Sequence, residues 1–249
     1  MMECISSTVI LSPQKQATGP NNLHAVIDTI KEMLHSESTL GHLVRGEEPK
    51  ESFLRIDATV KTTLSAYANG HHEDWNKFAF FHEHHYVRNF VDGNEEFELM
   101  VICWRPGQVS RIHNHDKSHC WVACLHGEVQ EVIYSSVAQP GPCNTNAQDL
   151  GLSSPKKDVK LPGTLDSYVP CPELEKVSVK NIQPGQVTYM NDKLGLLHSV
   201  GCLEGQPAPG AVTLHLYSPP IKRATLYDQE ANAVITRVPG FFSVRGVRT

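Results

Sequence analysis

No stretch of this sequence approaches the roughly 18 apolar residues that a membrane-spanning helix needs. The segment from Met1 to Gln16 has no basic start and no long apolar run. Val9-Ile10-Leu11 is followed at once by Ser12 and Pro13, so no secretory leader is expected. Dense Lys/Arg runs are absent too. With 22 basic and 27 acidic residues, a formal charge of −5 and a pI of about 6.3, the chain lacks the electrostatic footprint of a nucleic-acid binder. There is no CxxC. The seven cysteines (Cys4, Cys103, Cys120, Cys124, Cys143, Cys171 and Cys202) are odd in number and scattered, which argues against a disulfide framework. Most read as small buried hydrophobes in a reducing compartment. The expectation is a cytosolic protein with no membrane or nucleic-acid partner, monomeric by default.

What is present is enough apolar sequence, 40 %, for a substantial core, and fourteen histidines. Residues 1–20 are Ser/Pro/Gln-rich and read as a flexible tail. From Leu23 the apolar residues Val26, Ile27, Ile30, Met33 and Leu34 repeat every 3.6 positions, with Asn21 or Asn22 available as a cap. A second helix is expected over about Val60 to Tyr67, and a third over about Asp74 to Phe81. After Tyr86 the pattern changes to short runs rich in β-branched and aromatic residues, punctuated by Asp92-Gly93-Asn94, Pro106-Gly107, His126-Gly127 and Pro184-Gly185. Strands are expected near 86–91, 96–104, 119–125, 128–134, 175–182, 185–190, 211–217, 223–228 and 232–238. Residues 135–172, with Pro140-Gly141-Pro142 and little periodicity, read as a surface insertion. The fold class is mainly β, a sandwich or barrel, in one domain over 21–249 with a helical segment at 21–82.

Chemistry concentrates in three places. His113 and His115 stand at i and i+2, which in extended backbone directs both imidazoles to one side. Gly107-x5-His113-x-His115-x4-Cys120-x6-Gly127 has the spacing of the first cupin motif, with Cys120 where most cupins carry a glutamate. Gly185 and Gly195-x2-His198 match the second motif less closely: its Pro is replaced by Asn191-Asp192, and Cys202 stands where many cupins have Asn. Three neutral nitrogens suit Fe(II), and also Zn, Cu or Ni. In Ala211-Val212-Thr213-Leu214-His215-Leu216-Tyr217, alternation puts Thr213, His215 and Tyr217 on one face. That face is either a hydrogen-bonded interior relay or an ordinary solvated one. Arg88, two residues from Tyr86, is suited to gripping a carboxylate from a cavity mouth, although a surface arginine would read the same. His82-Glu83-His84-His85 is a second histidine cluster without a distant partner and reads as solvated, as do His71-His72 and His126. Alternation sets His119 opposite in facing to Cys120. Cys103 and Cys124 read as core, while Cys4, Cys143 and Cys171 receive no assignment.

In order along the chain, Tyr86-Val87-Arg88-Asn89, Cys103-Trp104, His113-x-His115, Ser118-His119-Cys120, Tyr189-Met190-Asn191-Asp192, Gly195-x2-His198 and Leu214-His215-Leu216-Tyr217-Ser218-Pro219-Pro220 resemble cysteine dioxygenase, a cupin-type thiol dioxygenase family. The resemblance implies a small cupin barrel with N-terminal helices that binds one Fe(II) through His113, His115 and His198. It implies oxidation of L-cysteine by O2 to cysteine sulfinic acid, the first step of cysteine breakdown toward taurine and sulfate. Arg88 with Tyr86 beside it would hold the substrate carboxylate. Cys120 and Tyr217 match the family's thioether pair, and His215 matches a histidine bonded to that region. Three departures stand out: Thr213 where relatives often have Ser, one extra residue before His198, and Ala224 where animal relatives often have a cysteine. Two rivals share the sequence: a dioxygenase of another small thiol, and a cupin that binds a ligand without turnover.

Overall fold

A computed structural model describes residues 20, 22–41, 49–136, 169–191 and 196–249. The N-terminal segment up to residue 19, Asn21, residues 42–48, most of the 135–172 stretch, residues 192–195, Cys4 and Cys143 lie outside the described residues. Two helices precede the strands. Helix α1 (Leu23–Thr39) is capped by Asn22, whose side chain accepts from the Ala25 N–H, and it buries Leu23, Val26, Ile27, Ile30 and Leu34. Helix α2 (Lys50–Asn69) begins ten residues before the expected Val60. Its first turns are charged at Lys50, Glu51, Arg55 and Asp57, and they dock through polar bonds as well as through Phe53 and buried Ile56. Buried Glu37 of α1 accepts from Ser52 and from both Nε and Nη2 of Arg55. The third expected helix is a single 3-10 stretch, Asp74–Phe78, whose Asp74 accepts from the Leu23 N–H and the Tyr67 hydroxyl. Among the described residues no helix is long and apolar enough to cross a membrane.

The strands are β1 (Val87–Gly93), β2 (Glu98–Trp104), β3 (Ile112–His113), β4 (His119–His126), β5 (Val129–Ser136), β6 (Leu174–Ile182), β7 (Val187–Met190), β8 (Leu196–Gly201), β9 (Ala211–Ser218), β10 (Ala224–Asp228), β11 (Ala233–Arg237), β12 (Ser243–Val244) and β13 (Val247–Arg248). They form a seven-stranded sheet in the order β13-β12-β1-β2-β9-β4-β7 and a six-stranded sheet in the order β11-β10-β3-β8-β5-β6. The nine expected strands are present within a few residues. Strands β8, β12 and β13 were not among them, and β3 was expected only as extended backbone around His113 and His115.

Alternation on β2, β4 and β9 explains the layering. Leu99, Val101, Cys103, Trp121, Ala123, Val212, Leu214 and Leu216 pack with α1 and α2 in one core. The intervening residues Met100, Ile102, Trp104, Cys120, Val122, Cys124 and Tyr217 join Val129, Ile182 and Val200 in a second core. A central sheet covered on both sides buries every residue of β9, so Thr213, His215 and Tyr217 face the interior and not solvent. Gly127 shows why the motif spacing ends in glycine. Its φ is 68°, and a Cβ there would meet the Gly210 carbonyl at 2.5 Å. This mainly β, two-sheet architecture with N-terminal helices is the cupin fold.

Candidate metal centre

Strands β3 and β8 pair antiparallel with His113 directly opposite His198. Strand β10 pairs with the other edge of β3, matching Leu226 to His113. His113 is thus held by main-chain bonds from both sides. His115 lies beyond the end of β3, not on it, which corrects the expectation of both histidines on one strand. Asn114 carries the chain onward: its N–H bonds to the Thr225 carbonyl at 3.1 Å, and its side-chain oxygen accepts from the Thr225 N–H at 3.0 Å. Positive φ at Asp116 and Lys117 then turns the chain, and the Ser118 N–H returns to the His115 carbonyl. Strand and turn together bring the three imidazoles within 4.8 Å of one another.

The donor set fits a metal ion. His198 Nδ1 lies 2.8 Å from Glu131 Oε1, and Thr188 donates to the other carboxylate oxygen at 2.7 Å. A carboxylate only accepts, so His198 carries its proton on Nδ1 and presents Nε2 as a lone pair. His113 Nδ1 likewise reaches the Arg111 carbonyl at 2.8 Å, again leaving Nε2. The Nε2 atoms of His115 and His198 are 3.0 Å apart. Two nitrogens bound at about 2.1 Å and subtending a right angle lie about 3.0 Å from each other. Burial first, and then the neighbouring His198, lowers His113 to about 3 and His115 well below the ordinary histidine range. Both rings are neutral at physiological pH, as ligands must be. For Glu131, burial opposes the charge, but the bonds from His198 and Thr188 outweigh it and hold the carboxyl below its usual range.

His113 and His198 open onto a cavity of about 530 Å3 lined on the other side by Tyr86, Arg88, Ile102, Trp104, His215 and Tyr217, while His115 is fully buried. A hydrogen-bonded chain runs along this wall. Trp104 Nε1–H donates to Thr213 Oγ1 at 2.8 Å, Thr213 Oγ1 lies 2.9 Å from His215 Nε2, and His215 Nδ1 lies 3.2 Å from the Tyr217 hydroxyl. Burial keeps His215 neutral and pushes the Tyr217 phenol up. Threonine retains the hydroxyl that serine would supply. Tyr86 stacks on Trp104 with centroids 4.5 Å apart. Cys120 and Tyr217 are direct cross-strand partners on β4 and β9, both buried. Ala224 lines the cavity, which ties that departure to the ligand space.

Arg88 lies within β1 of the seven-stranded sheet, inside the strand expected near 86–91. Its Nε reaches Met100 Sδ at 3.2 Å and its Nη2 reaches Glu98 Oε1 at 3.0 Å. Buried Nη1 has no hydrogen-bond partner among the described residues. A buried donor left unmet costs about 1–3 kcal/mol, so a ligand acceptor is strongly favoured there. Nε and Nη2 each already have a partner, so Nη1 is the guanidinium nitrogen left without one among the described residues.

The other histidines divide. His84 and His85 are exposed, as their solvated reading had it, although His85 also borders the cavity, and His82 rests against His85 at 4.0 Å. His119 faces away from the cavity, under α2, stacked on Phe53 and 2.6 Å from the Tyr189 hydroxyl. Cys103 and Cys124 are buried in the core as expected. Sequence reasoning missed Glu131, although a glutamate between Val129 and Ile133 on one strand face was a legible signal. It also missed Glu98, Met100 and the C-terminal lining residues Pro239, Gly240, Phe241 and Phe242, for which no local signal exists.

Comparison with known proteins agrees. A family model described as cysteine dioxygenase type I matches residues 51–230. The cysteine dioxygenase type 1 of Danio rerio is 30 % identical over 237 residues, covering 95 % of this chain and 94 % of its own. The Rattus norvegicus protein of that name is 31 % identical over 191 residues, 76 % of this chain and 78 % of its own. The Homo sapiens protein is 30 % identical with the same coverage. A double-stranded β-helix protein from Klebsiella pneumoniae overlaps 61 % of this chain and 93 % of its own at 13 % identity and a TM-score of 0.36. The fold assignment rests on the sheet order, not on that overlap. By the extent of these matches, the chain belongs to the cysteine dioxygenase type I family of dioxygenases.

Proposed function

We propose that the chain oxidises the thiol of L-cysteine with O2 to cysteine sulfinic acid at one Fe(II) held by His113, His115 and His198, as a cytosolic monomer. The product is the first intermediate of cysteine breakdown toward taurine and sulfate. The observation that carries this reading is the meeting of three imidazoles beside a cavity that Arg88 also lines. Thiol plus O2 equals sulfinic acid, so atoms balance without a separate reductant. Bound Fe(II) supplies open positions for thiolate and O2 and the redox chemistry that joins them.

The protein's own groups do the rest. Arg88 Nη1 donates to the substrate carboxylate, and Tyr86 backs that corner through its stack on Trp104. Glu131 accepts from His198 Nδ1 and so keeps Nε2 available as a ligand. If Thr213 donates to His215 Nε2, then His215 Nδ1–H donates to the Tyr217 oxygen and frees the phenolic proton for the cavity. That proton then positions the oxygens bound for sulfur. Ile102, Trp104, Ala224 and Leu226 keep water from the reacting sulfur. Cys120 and Tyr217 form a thioether: a carbon–sulfur bond replaces the thiol S–H and one ring C–H, and the two hydrogens with their electrons pass to O2, which leaves as hydrogen peroxide. Peptide mapping after turnover is expected to show the joined peptides lighter by two hydrogens.

Iron-loaded protein is expected to consume O2 on addition of L-cysteine, with one sulfinate formed per O2. Bound iron and bound cysteine without O2 uptake would instead identify a binding protein. Turnover of 3-mercaptopropionate in preference to cysteine would move the activity to another thiol.

A further inference from the structure

Strand β2 presents Glu98, Met100, Ile102 and Trp104 on its cavity-side face, and Glu98 is the one ionisable group among them. Arg88 stands opposite Ile102 in the β1–β2 register. To bond Met100 through Nε and Glu98 through Nη2, its side chain lies lengthwise along that face, toward residues two and four positions from its own partner. The Phe241 ring covers the guanidinium with its centroid 5.2 Å away. Among the described residues Glu98 and Met100 do not line the cavity, whereas Arg88 does. The ion pair is buried, with the two side chains 14 % and 12 % exposed. A ligand carboxylate therefore meets an arginine whose charge is already offset and whose fork is committed except at Nη1.

We propose that Glu98 is a specificity-determining positioning residue, which acts through Arg88 to weaken and narrow the pocket's grip on the carboxylate of a small aminothiol. The proposal rests on the functional reading above. An uncompensated arginine would hold a carboxylate at close range in a low-dielectric pocket far more tightly than a compensated one. By this argument the protein distinguishes cysteine from its carboxylate-free analogue cysteamine only modestly.

Anaerobic titration calorimetry of the iron-loaded full chain with L-cysteine and with cysteamine tests this without turnover. The unaltered protein is expected to prefer cysteine by no more than about tenfold. A preference above about a thousandfold overturns the proposal without any variant. Glu98→Gln keeps the shape and the acceptor oxygen but removes the charge. It is expected to tighten cysteine about tenfold, leave cysteamine within about twofold, and lower KM for cysteine more than it changes kcat. In an Arg88→Gln background the same change is expected to have no effect on cysteine affinity, since Glu98 acts through the arginine. Equal shifts for both thiols, or a Glu98→Gln effect that persists without Arg88, make Glu98 merely structural and overturn the proposal. Unaltered iron-loaded protein that binds neither thiol removes the functional reading itself, a result distinct from either of those.

Discussion

The six-stranded sheet delivers His113 and His198 to the cavity by main-chain register, with β3 paired on both edges. The seven-stranded sheet presents Arg88 and Tyr217 on its inner face, and the reach of each is set by side-chain hydrogen bonds to Glu98, Met100, His215 and Thr213. Register moves in whole-residue steps, so the metal wall is either right or wrong. Side-chain bonds can be lengthened, lost or exchanged one at a time, so the substrate wall is tunable. His115, placed by a turn between the sheets, belongs to the metal set without sharing its strand. Variants on the two walls are therefore expected to fail differently.

The largest effect is expected on the register-set wall. His198→Ala removes one of three ligands and should drop bound iron from about one per chain to under about a tenth, with O2 uptake falling in step. Elemental analysis and the oxygen electrode would show this, while far-UV circular dichroism stays unchanged. Retained iron would break the comparison. Next is Glu131→Gln, which replaces an anionic acceptor of the His198 Nδ1–H with a weaker one. Metal affinity is expected to fall about 10- to 100-fold in a chelator competition, and an unchanged affinity would show that the carboxylate does not orient the ligand.

On the tunable wall, Arg88→Ala should raise KM for cysteine at least about tenfold. KM for cysteamine should stay level or fall, because Glu98 is then uncompensated. A rise for both thiols would mean that the variant collapsed the cavity.

The smallest effect tests the outer face. Burial raises the Asp92 carboxyl, but Lys31 at 2.6 Å, the Gly93 N–H and Arg245 at 3.3 Å together hold it below its usual range. A depressed folded value stabilises the protein above the unfolded carboxyl range, near about pH 4, and that contribution fades as pH falls through the folded value. Asp92→Asn should lower the melting temperature by under about 3 °C at neutral pH, since Lys31 and Arg245 are partly solvated. The gap between variant and parent should close in acid. A gap that widens instead would reverse the sign assigned here.

Legibility followed the range of the interactions. Helix α1 was readable because Leu23 to Leu34 carry their own 3.6-residue stripe, and α2 was readable only from Val60 onward, because Lys50, Glu51, Arg55 and Asp57 crowd the apolar positions before it. Strands β3 and β8 were absent from the expected strands for a physical reason. A two-residue strand has no period to detect, and β8 is buried nearly throughout, so it shows no polar alternation. Yet these two hold His113 and His198. The motif glycines and the HxH spacing pointed to those residues without showing how they are held. Glu98 was invisible as a partner because its importance depends on where the Arg88 side chain runs.

The order of residues along the chain determined what needs only local chemistry: helical and strand periods, the tight turn at Gly127, the placing of Thr213, His215 and Tyr217 on one shared face, and family membership. The tertiary structure alone decided that His115 reaches the metal set from a turn, that Glu131 stands behind His198, and that Nη1 of Arg88 is left without a partner among the described residues. Each of those depends on which strands pair and in what register. That choice is made by burial summed over the whole core, and no short window of sequence contains it.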